Sequence, residues 1–147
     1  MIKRLLPLFI ALFFFPPLAA GCSSQTASSA GHAYQLAPLD EIPAEVHKAP
    51  QTVREAYQFA VAHPEVVQAL PCYCGCGPMG HISNESCYIE ARREDGIVYD
   101  NHALGCQICV DITQDAMRLL DEGKSIGDIY AYVDASYSRF GPPTPLQ

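Results

Sequence analysis

Between Pro71 and His81 the chain reads PCYCGCGPMGH, with Cys72, Cys74 and Cys76 separated by single residues. Three thiols inside five positions are hard to account for as core filling. A strand would carry all three on one face, because side chains alternate with period two; a loop would turn them inward through the freedom of Gly75 and Gly77. Either geometry gathers soft donors. Met79 and His81 follow at once, and Cys87, Cys106 and Cys109 lie downstream with His102 just before the last pair. The fold must account for six sulfurs in one small domain.

The start of the chain speaks to compartment. Met1 to Arg4 is a short basic segment, and Leu5 to Ala20 is an apolar run broken by Pro7, Pro16 and Pro17, the pattern of a secretory signal rather than a spanning helix. Leu18-Ala19-Ala20-Gly21-Cys22 resembles the lipobox of bacterial lipoproteins, with Ala19 where leucine is usual. That resemblance implies removal of residues 1–21, lipidation at Cys22, and an extracytoplasmic protein of the cell envelope anchored to a membrane by its lipid. Losing Lys3 and Arg4 takes the net charge from −7 to −9. An acidic chain with no basic patch argues against a nucleic-acid partner.

From residue 22 to 49 the composition is Ser, Ala, Pro and small polar residues, which reads as a flexible tether with His32 and His47 as solvated linker residues. A Cys-rich domain is expected over 50–141, with a tail over 142–147. Val53, Tyr57, Ala60 and Val61 form a helical stripe ending at His63-Pro64, and Pro64 suits the first position of a further short turn. Cys87–Ala91 and Ile97–Tyr99 flank a polar segment ending in Asp95-Gly96, which predicts a small hairpin. Ile108, Ile112, Ala116, Leu119 and Leu120 predict a long helix from His102 to Glu122, stopped by Gly123. On such a helix His102, Cys106 and Cys109 would fall within roughly 60° of arc, although Gly105 weakens its first turn. Ser125 and Asp128 resemble a helix start, followed by the stripe Ile126, Ile129, Val133 and Tyr137. The fold class expected is mainly α: a small Cys-rich helical domain with a metal-binding loop and one short β-hairpin.

The run PCYCGCG, then Gly80-His81, a single Cys87, His102-Ala103 and Cys106-x-x-Cys109-x-Asp111, resembles the bacterial lipoproteins named for their PCYCGC motif. The likeness spans Val53 to Tyr137. It implies a compartment and a pattern rather than an activity, so the chemistry must come from the residues.

Three explanations compete for the sulfurs. Soft-metal binding comes first, since thiolates select Cu(I), Zn(II) or iron–sulfur clusters and Cys-x-Cys units suit thiolates bridging several Cu(I) ions. Zinc would use a four-ligand subset, at a spacing unlike the usual Cys-x₂₋₄-Cys knuckle. A disulfide framework is the second, with an even number of cysteines in an oxidising compartment. The third is an iron–sulfur cluster, from Cys72-x-Cys74 and Cys106-x-x-Cys109 separated by 31 residues, against which stands a signal without twin arginine. A thiol–disulfide oxidoreductase using Cys106 and Cys109 is the enzymatic alternative, without the βαβ pattern that usually accompanies it.

The reading that follows is a binding protein rather than an enzyme, capturing, buffering or delivering Cu(I). Its metal ligands would be Cys72, Cys74, Cys76, Cys87, His102, Cys106 and Cys109, with Met79 and His81 as additional donors. Its partners would be the metal ion, the membrane through the lipid, and an envelope protein that gives or receives metal.

Overall fold

The computed structural model describes residues 31–146. The signal segment and Cys22 lie outside the described residues. Four helices and one hairpin follow in order: α1 (Gln51–Ala62), α2 (Pro64–Val67), β1 (Ile89–Arg93), β2 (Gly96–Tyr99), α3 (Gln107–Asp121) and α4 (Ile126–Tyr137), with 3₁₀ turns between them. This is the mainly helical Cys-rich domain with one hairpin that the sequence predicts.

Each helix is bounded by local chemistry. α1 ends before His63, where Pro64 opens α2. α3 stops in a Schellman turn: Gly123 takes φ +76°, its N–H donates to the Leu120 carbonyl, and the Lys124 N–H donates to that of Leu119. α4 opens on a capping box in which Ser125 and Asp128 satisfy each other's backbone N–H groups. In the hairpin β1 pairs antiparallel with β2, Arg93 opposite Gly96, with a bulge between Ile89 and Ala91.

The core lies where α1 and α4 pack on either side of α3. Tyr57 and Phe59 from α1, Ile112 from α3, and Ile129 and Val133 from α4 are fully enclosed with Val67 and Leu70. Burying each such side chain contributes about 1.5–3 kcal/mol, whereas an isolated two-stranded hairpin is marginal. The helix faces therefore carry the domain, and the hairpin is held by packing against them through residues such as Ile89 and Ile97.

Three expectations are corrected. The tether expected over 22–49 does not extend through its described part: Tyr34, Ile42 and Val46 are buried in the core, and short 3₁₀ turns cover Leu39–Glu41 and Val46–Lys48. His32 pairs with Asp121, and the His47 ring nitrogen Nε2 lies 2.8 Å from the Ile42 carbonyl oxygen, so neither is a free linker residue. The isolated apolar residues Tyr34, Ile42 and Val46 have no helical or strand period, which is why pattern reading passed over them.

The tail expected over 142–147 also packs through its described residues. Thr144 is buried, its N–H donates to the Cys72 carbonyl at 2.9 Å, and its Oγ1 accepts from the Cys72 N–H at 2.9 Å. A Cβ on Gly141 would stand 2.9 Å from the Tyr73 carbonyl oxygen, so the last segment reaches the cysteine loop only because residue 141 has no side chain. Finally, the helix expected from His102 begins instead at Gln107. His102–Leu104 is a separate 3₁₀ turn, and Cys106 is the extended N-cap of α3.

Candidate metal centre

The loop after Leu70 is neither strand nor helix until Gly77. Its Cys72 and Cys76 sulfurs are buried while Cys74 is half-exposed, and Gly75 at φ +82° supplies the left-handed turn that folds the chain between Cys74 and Cys76. Tyr73, between the first two cysteines, is fully buried and donates from its hydroxyl to Asp134 Oδ1 on α4 at 2.6 Å. The loop is thus pinned on one side by α4 and from behind by Thr144, which frees its sulfurs to face the start of α3.

There the six thiols converge. Cys72 Sγ lies 3.4 Å from Cys74 Sγ and 3.2 Å from Cys109 Sγ; Cys109 Sγ is also 3.6 Å from Cys74 and 3.1 Å from Cys87; Cys76 and Cys87 are 4.0 Å apart. Cys74, His102, Cys106 and Cys109 offer ligand atoms all within 4.8 Å of one another, and so do Cys72, Cys76 and Cys87. The spacing of His102, Cys106 and Cys109 predicts a shared helical face. They meet instead because the turn at His102–Leu104 folds back at Gly105 onto the N-terminus of α3.

Two imidazoles border the sulfurs. His102 Nε2 is 3.3 Å from Cys74 Sγ, His81 Nδ1 is 3.5 Å from Cys87 Sγ, and the two rings meet edge to face at 5.1 Å between centroids. Asp100 stands behind both, accepting the His102 backbone N–H at 2.7 Å and lying 3.7 Å from His81 Nε2. Met79, considered as an additional donor, is 65% exposed.

The residues that hold Cys109 were not legible in the sequence. Asn84 Nδ2 donates to the Cys109 carbonyl at 3.1 Å, the Tyr88 hydroxyl donates to it at 2.8 Å, and Thr113 Oγ1 donates to Asn84 Oδ1 at 2.7 Å. All three side chains are fully buried. Such a network is costly unless every member is paired, and here each is. Its burial also places Asn84, the first residue of an Asn-x-Ser triplet, out of reach of any modifying enzyme acting on the folded chain.

The thiols do not ionise alike. The neighbouring Cys109 thiol, and then Cys87, hold Cys72 well below the ordinary thiol range against the cost of burial. Cys87 likewise brings Cys74 down to about 5, with burial opposing and His102 helping. Cys109 is pushed up, chiefly by Cys72, and Cys87, chiefly by Cys109; Cys106 is raised by burial. A crowded, desolvated group of sulfurs resists taking many charges at once: Cys72 and Cys74 are held low, while Cys87, Cys106 and Cys109 are held high. In metal-free, reduced protein, Cys74 should therefore be the first thiol alkylated by iodoacetamide. Its rate should change little between pH 8 and pH 6, where an unperturbed thiol slows by roughly two orders of magnitude. Peptide mass mapping at short times checks this; a steep pH dependence or first labelling at Cys106 would contradict it.

Among the described residues all six cysteines are free thiols, and they form one group rather than three separated pairs. The donor set fits a soft metal: thiolates around one tetrahedral ion at about 2.3 Å stand about 3.8 Å apart, inside the spread of sulfur separations found here. The Cys/His groups could hold a metal ion, and the donor chemistry admits copper and zinc alike.

Fold and site together define a small helical domain built around a buried thiol–imidazole cluster. The chain belongs to the family described as proteins of unknown function with a PCYCGC motif, whose model matches residues 15–147. Comparison with curated proteins and with solved structures gives no match.

Proposed function

We propose that this protein binds a soft metal ion, Cu(I) before Zn(II), and captures, buffers or hands it on outside the cytoplasm. The observation that carries this reading is the convergence of six thiols and two imidazoles at one place, with Cys72, Cys74, Cys87 and Cys109 in direct sulfur contact. Soft thiolates select Cu(I), and imidazole suits copper and zinc alike. The metal would supply the charge that lets the buried sulfurs shed their protons; the protein supplies their position and excludes water.

The segment ending Ala19-Ala20-Gly21-Cys22 supports a lipid-anchored envelope protein, processed before Cys22. Among the described residues no helix is long and apolar enough to cross a membrane; in this reading the lipid on Cys22 is the attachment. The protein would act as a binding protein rather than an enzyme, and its partner would be an envelope protein that exchanges Cu(I) by thiolate transfer.

Competition against a coloured Cu(I) chelator tests the binding directly. Fully reduced protein should withdraw Cu(I) from the chelator and should release bound Zn(II) when Cu(I) is added. Failure to compete would remove the reading.

A further inference from the structure

The donors exceed what one ion can use, and they divide by exposure. A single ion takes at most four of them, yet six sulfurs and two ring nitrogens stand in one continuous cluster. Cys74, His102 and Cys106 are half-exposed and share a group with buried Cys109, whereas Cys72, Cys76 and Cys87 are all buried, with His81 beside Cys87. The two groups are not separate pockets. Cys72, of the inner group, touches Cys74 and Cys109 of the outer at 3.4 and 3.2 Å, and Cys109, of the outer, touches Cys87 of the inner at 3.1 Å.

We infer that the cluster is a two-compartment site for at least two Cu(I) ions, with Cys72 and Cys109 as bridging sulfurs, an outer position that exchanges metal with solvent or a partner, and an inner position that retains it. This rests on the soft-metal reading above and goes beyond it in assigning number, bridges and order. A bridging thiolate serves two cations with one negative charge, which suits a buried cluster in which every uncompensated charge is costly. The half-exposed Cys74 and Cys106 are the only sulfurs of the six that an incoming ligand can approach without opening the core. Cu(I) would pass inward by ligand exchange: the metal gains a bond to Cys72 or Cys109 as it loses one to Cys74 or Cys106, any proton on the entering thiol passes to the departing thiolate, and no electron is transferred.

Two variants and one kinetic measurement test the assignment. The full chain, reduced and handled without oxygen, is titrated with Cu(I), and bound ions are counted by native mass spectrometry. Wild type should hold two or more ions, and a strong chelator should strip them in two phases differing at least tenfold in rate. The Cys74→Ser/Cys106→Ser variant, altered only at half-exposed positions, should hold at least one ion fewer and lose the fast phase. The Cys76→Ser/Cys87→Ser variant should lose the slow phase; far-UV circular dichroism shows whether it has folded, and if it has not, the outer variant and the wild-type kinetics decide. A wild type saturating at one ion, or an outer variant that keeps the wild-type number and the fast phase, overturns the two-compartment site while leaving Cu(I) binding standing. Absence of Cu(I) binding in wild type is the separate result that removes the soft-metal reading itself.

Discussion

Cys109→Ser is expected to lower Cu(I) affinity at least a hundredfold, about 3 kcal/mol, more than any other single cysteine change. Cys109 sits at the centre of the cluster, with three sulfurs at 3.1, 3.2 and 3.6 Å. Serine keeps the size and the helix start but offers a hard oxygen to a soft ion. Met79→Ala is the matched control, because that side chain is exposed, and it should leave affinity unchanged. Chelator competition on both variants decides: if Cys109→Ser behaves like Met79→Ala, the sulfur contacts at the start of α3 have no part in binding.

A second large effect should fall on stability. Asn84→Ala removes the side chain that donates to the Cys109 carbonyl and accepts from Thr113, and leaves a cavity where the chain is fully buried. Thr113 Oγ1 keeps the Tyr88 hydroxyl at 2.7 Å and the Cys109 carbonyl at 3.2 Å, so the cost is the two lost hydrogen bonds and the vacated volume, about 2–4 kcal/mol, which for a domain of this size lowers Tm by about 10 °C. Every sulfur remains, so Cu(I) should still bind and restore part of the lost Tm, as a ligand of the native state does by mass action. Thermal melts of metal-free and Cu(I)-loaded Asn84→Ala check both statements. A metal-free Tm within 2 °C of wild type would show that the network is ornamental.

What the sequence disclosed follows from which signals are periodic. α1, α3 and α4 announce themselves by stripes such as Val53-Tyr57-Ala60 and Ile129-Val133-Tyr137, and the hairpin by Asp95-Gly96. The cluster's cysteines are conspicuous because few other roles explain three thiols in five residues. What carried no signal was single residues whose work is tertiary. Asn84, Tyr88 and Thr113 are ordinary types in ordinary context, and only the fold brings them to the Cys109 carbonyl. Thr144 and Gly141 lie in a Pro-rich end that reads as tail, yet they back the loop at Cys72 and Tyr73. The break at Gly105 shows the limit of period arguments: the spacing of His102, Cys106 and Cys109 suits a helix, and the chain instead brings them together by a turn and an N-cap.

In our proposal these thiols exist to hold metal. The most direct measurement is the metal content of protein purified without oxygen from its native cells, by elemental analysis alongside a count of free thiols after denaturation. The expected result is copper at one or more equivalents, with all six domain cysteines recovered as thiols once the metal is chelated. Metal-free protein with three disulfides would contradict it.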